Sequence, residues 1–149
     1  MEPEIEIKVV HLQCIKSKQE TDELYCDMKG KYLNSDSKLS RKLPKSGTWK
    51  FTQGQSLGPN ESIYSGPVDN GVALEIEFEE QDGAGLLTFL DKKVGGLLFT
   101  YSKEGSYTFE THKKTTYEGQ QPDGSHQFFL EGSRAEYRVR LALYRKVAI

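Results

Sequence analysis

The strongest pattern in the chain is alternation. In Val72-Ala73-Leu74-Glu75-Ile76-Glu77-Phe78-Glu79, the apolar residues at 72, 74, 76 and 78 share one face, and Glu75, Glu77 and Glu79 share the other. A period of two belongs to a strand with one buried face; a helix would scatter the same apolar residues around its axis. The C-terminal segment repeats the pattern, with Tyr137, Val139, Leu141 and Leu143 on one side and Glu136, Arg138, Arg140 and Tyr144 on the other. If the two strands are neighbours, their Glu and Arg rows pair across the sheet, each pair contributing ~0.2–1 kcal/mol.

Shorter runs fill the remainder. Ile5, Ile7 and Val9 alternate, and Val10, Leu12 and Cys14 continue in the opposite phase. Such a phase switch predicts a β-bulge or a strand that leaves one sheet for another. Leu24, Cys26 and Met28 form the next run, then Trp49 with Phe51, then segments 94–101, 106–111, 115–118 and 127–130. Turn residues separate them, as in Gly58-Pro59-Asn60, Asp69-Asn70-Gly71 and Pro122-Asp123-Gly124. Segments 16–23 and 85–93 are the places where a short helix fits, and the lysine- and serine-rich stretch 34–47 reads as a mobile loop. The sum is an all-β fold, an antiparallel β-sandwich of about eight strands. Residues 1–149 read as one domain, a length that buries a full core unaided.

Two stretches resemble C2-type β-sandwich domains. Thr21-Asp22-Glu23-Leu24-Tyr25 looks like the step that opens the second strand of that fold. Leu74-x-Ile76-x-Phe78-x-Glu80-x-Asp82, followed by Asp91-Lys92-Lys93-Val94-Gly95, is similar to its strand, acidic loop and returning strand. Together they span roughly half the chain. In calcium-dependent C2 domains, carboxylates from loops at one sandwich end hold the ion. Carried over residue by residue, that resemblance implies Asp22, Glu80, Asp82 and Asp91 as metal ligands, with Glu20 beside the first loop. Ca²⁺ takes six to eight oxygens, several of them carboxylate, so the chemistry is sound. The pattern departs from the family in two ways. Glu80 stands where aspartate is usual, and the first loop lacks the customary pair of aspartates. The competing reading is of solvated carboxylates at strand ends.

Between those acidic positions lies Gly85-Leu86-Leu87-Thr88-Phe89-Leu90. On the C2 resemblance this is a loop tip. Leu86, Leu87, Phe89 and Leu90 then either enter a bilayer or partner groove or pack back on the sandwich.

Charge narrows the partner classes. The formal net charge is −2, from 20 basic and 22 acidic residues. This near-balance argues against a nucleic-acid partner. The acidic start at Met1-Glu2-Pro3-Glu4 lacks the apolar core of a secretory signal, and the cytoplasm is the expected location. Cys14 and Cys26 face each other if their strands form a hairpin near Glu20; otherwise they are two reduced, buried thiols.

Catalytic signals are sparse. His11, His112 and His126 are far apart, without metal-ligand spacing, and read as scattered strand or surface histidines. Gly95-Gly96 precedes a strand rather than a helix and marks a bulge or a close backbone approach. Several tyrosines (Tyr32, Tyr64, Tyr101, Tyr107, Tyr117) fall near turns and edges, where they serve either as half-buried strand residues or as contact residues. The expectation is therefore not an enzyme but a non-catalytic binding or assembly module that uses loops at one end of a sandwich to hold a protein partner. The alternative is a peripheral membrane-binding module of C2 type with calcium as its cofactor.

Overall fold

Alternation organises nearly every strand in the computed structural model, which describes residues 3–81, 92–112, 114–132 and 134–146. In chain order the strands are β1 (Glu4–Lys16), β2 (Asp22–Tyr32), β3 (Lys38–Leu43), β4 (Trp49–Phe51), β5 (Ser56–Leu57) and β6 (Glu61–Pro67). They continue as β7 (Gly71–Glu80), β8 (Lys92–Ser102), β9 (Tyr107–Thr111), β10 (Thr115–Gln120), β11 (His126–Gly132) and β12 (Ala135–Lys146). One sheet runs β10-β11-β12-β1, with β5 and β6 both pairing β1; the other runs β3-β2-β7-β8-β9, with β4 pairing β2. All strand pairs are antiparallel. This is an antiparallel β-sandwich, with twelve strands among the described residues rather than about eight. Among those residues, no helix is long and apolar enough to cross a membrane.

The core lies between the sheets and is built from the inward rows. Val72, Leu74, Ile76 and Phe78 of β7 and Tyr137, Val139 and Leu141 of β12 are all fully buried. Each such side chain contributes roughly 1.5–3 kcal/mol relative to exposure. The phase switch in β1 is a bulge. Val9 faces Leu141 and His11 faces Arg140, so Val10 is the extra residue and the inward row resumes at Leu12 and Cys14.

Two open alternatives are decided and two expectations are corrected. First, β12 and β7 are in different sheets, because β11 and β1 occupy both edges of β12. The arginine row therefore meets other partners: Arg138 Nε lies 3.1 Å from Glu118 Oε1, and Arg140 Nε donates to Gln127 Oε1 at 2.8 Å. Second, β1 and β2 do not form a hairpin, because residues 17–21 carry the chain from one sheet to the other. Cys14 faces Tyr137 and Cys26 faces Phe78, both as free, buried thiols that burial pushes above the ordinary thiol range. Third, the stretch read as a mobile loop contains β3, paired to β2 from Lys31↔Lys38 to Cys26↔Leu43. An edge strand needs only backbone partners on one side, and its charges guard the open edge, so polarity did not preclude a strand there. Fourth, residues 16–23 hold strand ends and a turn, not a helix.

Candidate functional site

Two of the four carboxylates assigned by the C2 resemblance are described, and both face inward. Asp22 opens β2 in phase with Leu24, Cys26 and Met28. Glu80 closes β7 in phase with Val72, Leu74, Ile76 and Phe78. Each has no exposed surface. The Asp22 carboxylate accepts from the backbone N–H groups of Lys18 (3.1 Å) and Gln19 (3.0 Å) and from the Tyr137 hydroxyl (2.9 Å). The Lys18 ammonium reaches across to Glu80 Oε2 at 3.7 Å. The turn between the sheets is thus tied to β12 of one sheet and β7 of the other. Burial, with the Asp22 carboxylate as acceptor, pushes the Tyr137 hydroxyl far above its ordinary pKa, so it stays a donor. As placed, the Asp22 carboxylate is occupied by donors of the chain itself, and the Lys18 ammonium stands beside Glu80. That differs from the open oxygen set Ca²⁺ takes. Asp82 and Asp91 lie outside the described residues, as do Leu86, Leu87, Phe89 and Leu90.

The outward face of the second sheet is chemically richer. One cross-strand row reads Ser40, Lys29, Glu75, Leu98, Glu110, and the next reads Lys38, Lys31, Ala73, Thr100, Thr108. Lys31 directly faces Lys38, an arrangement that destabilises a sheet. Among the described residues, neither lysine makes an ion pair. Between these rows lies an open groove of about 440 Å³, lined by the lysines together with Leu39, Ala73, Glu75 and Leu98.

Farther along the same face, three metal-binding side chains converge. Glu75 and Glu77 are both outward on β7, and His112 follows directly on β9. The His112 Nε2 atom is 3.0 Å from Glu75 Oε1, and its Nδ1 is 3.5 Å from Glu77 Oε1. β8 separates β7 from β9, so two strand spacings, about 9.5 Å, must be bridged. The bridge is possible because Gly96 lies between: it faces Glu77 on one side, and its carbonyl accepts from the His112 N–H at 3.0 Å on the other. A Cβ at Gly96 would stand 2.4 Å from Glu77 Oε2. Its neighbour Gly95 faces inward against Thr115 and Leu130, and the register shifts beside it, between Phe78 and Glu79. The glycine pair therefore provides both the bulge and the close approach expected of it. His112, read from the sequence as a scattered residue, belongs to a cluster. Outward Glu75 and Glu77 together with an outward glycine on the next strand were the available signal.

His126 has a different setting. It is buried, and its Nδ1 and Nε2 lie 2.8 and 3.2 Å from the hydroxyls of Tyr117 and Tyr107. Phe109 packs on the ring, and Phe128 packs on Phe109. These residues join β9 of one sheet to β10 and β11 of the other, and burial lowers the imidazole pKa. Tyr64 and Tyr101 are core residues, whereas Tyr117 is exposed.

No protein-family model matches the chain, and no curated protein matches it. Among solved structures, the chain is similar to the C2 domain designated A of plant extended synaptotagmin 1. The two are 15% identical, the match covers 97% of this chain and 96% of that one, and the TM-score is 0.47.

Proposed function

We propose that this protein is a binding module whose contact surface is the outward face of the β3-β2-β7-β8 sheet, and that its ligand is an acidic segment of a protein partner. The observation that carries this reading is the Lys31–Lys38 pair beside the apolar floor of Ala73 and Leu98. Like charges placed opposite each other oppose sheet formation. Alternating carboxylates docked from outside would relieve that repulsion, while intervening apolar side chains would cover the floor. Charge complementarity of this kind favours encounter rate and specificity.

The test is fluorescence anisotropy with a labelled peptide of alternating glutamate and leucine. Binding should weaken steeply with salt, and Lys31→Glu with Lys38→Glu should remove it. Retention of affinity in the double variant would overturn the assignment. The competing reading, a calcium-dependent peripheral membrane module using the sandwich end at Asp22, Glu80 and segment 82–91, forecasts something different. Anionic vesicles would then sediment the protein with Ca²⁺ but not with chelator, and the groove lysines would be irrelevant. For that, the Lys18 ammonium has to leave Glu80.

A further inference from the structure

We infer that Glu75, Glu77 and His112 form a binding site for a divalent transition-metal ion of the zinc type, which shares Glu75 with the lysine groove. One ligand atom from each residue lies within 4.8 Å of the others. Around tetrahedral Zn²⁺, with bonds near 2.0–2.2 Å, ligand atoms stand on the order of 3.4 Å apart. The remaining closure is small for carboxylates at the rotatable ends of outward side chains. One imidazole with two carboxylates suits zinc and its neighbours; calcium and magnesium prefer an all-oxygen set.

The surroundings support a cation at this spot. The outward row through the cluster places Asp27 opposite Glu77, adding a third carboxylate to the local field. Lys93 Nζ already stands 3.8 Å from Glu77 Oε1, so a positive charge is drawn there. That ammonium is 70% exposed and can withdraw into water at little cost. The cavity beside the cluster, about 280 Å³ and lined by Glu77, Gly96, His112 and Lys114 among others, gives an ion access and room for a water as fourth ligand. Gly96 is the positioning residue: the absence of a side chain there leaves the space that Glu77 and His112 share.

The experiment is calorimetric titration of the metal-depleted full chain with Zn²⁺, alone and against a competing chelator, with Ca²⁺ as the control. One equivalent of zinc should bind, with no binding of calcium at the same concentration. His112→Ala should abolish that binding, and Glu75→Gln or Glu77→Gln should weaken it at least about tenfold, the loss that even indirect supporting groups cause. All three side chains are partly solvent-facing, and thermal melts confirm that the variants are folded. Histidine ring resonances give the second readout. Zinc should shift His112 and leave His11 and His126 unmoved. Failure of the wild type to bind zinc, unchanged affinity in His112→Ala, or a shift confined to His126 or His11 would each overturn the site.

Discussion

On β7, Glu80 ends the inward row that begins at Val72, while Glu77 stands in the outward row with Glu75 and Glu79. The two carboxylates are three residues apart, yet one is sealed between the sheets near Lys18 and Asp22 and the other shares solvent with His112. Strand parity, more than residue type or loop proximity, therefore decides what a carboxylate can do here. An inward acid is committed to holding the two sheets in register at one end. An outward acid is available to an ion or a partner. The histidines divide the same way: His126 is buried and bonded to the Tyr107 and Tyr117 hydroxyls, and His112 meets two glutamates outside.

The largest effect should come from the inward group. Asp22→Ala leaves the Lys18 and Gln19 N–H groups and the Tyr137 hydroxyl without their acceptor, in a place that water does not reach. Hydrogen bonds to charged groups contribute about 1.5–3 kcal/mol each, and partial rearrangement offsets some of the loss, so we expect destabilisation of about 3 kcal/mol. Urea unfolding midpoints measure it. A change below about 1 kcal/mol would mean that the inward carboxylate holds nothing.

The next effect concerns pH. Burial lowers the His126 pKa below the value of about 6.5 it takes in an unfolded chain. Above that value the ring is neutral in both states, and stability does not depend on it. As pH falls from about 6.5 towards the lower folded value, the unfolded state takes up the proton first and stability is lost. His126→Gln should therefore shrink the fall in urea midpoint between about pH 7.5 and pH 5.5. It should not abolish it, since His11 is also lowered, by burial and by Arg140. An unchanged slope in the variant would place the acid sensitivity elsewhere.

Much of this contrast was already legible as alternation. The rows of β7 and β12, the bulge at Val10 and the strands around Trp49 and Phe51 follow from period two alone. Parity even assigns Asp22 and Glu80 to the inside, since each continues its strand's apolar row. What alternation cannot supply is the neighbour list. Sheet membership of β2, β7 and β12 depends on which edges are already taken, and that is a long-range choice. β3 was missed because Arg41 interrupts its short Leu39–Leu43 row and every other side chain in it is polar. The His112 cluster was missed because its members sit on β7 and at the end of β9 and meet only across Gly96.

The smallest effect is the most informative about the outward group. Glu77→Gln keeps the size of a side chain that is 18% exposed and removes a charge facing His112 and Lys93. An ion pair whose lysine is mostly in water, like that with Lys93, contributes between zero and about 1 kcal/mol, and Asp27 opposite Glu77 repels it, so relief of that repulsion offsets what the pair provides. Stability should therefore stay within about 0.5 kcal/mol of the wild type, in contrast to the loss at Asp22. Urea midpoints of the metal-depleted protein check this directly. If Glu77→Gln instead costs as much as Asp22→Ala, the outward acid is also a structural tie, and parity no longer separates carboxylates that build the sandwich from those free to bind. If stability is unchanged while zinc affinity falls, the outward row holds a carboxylate whose main use lies outside the fold.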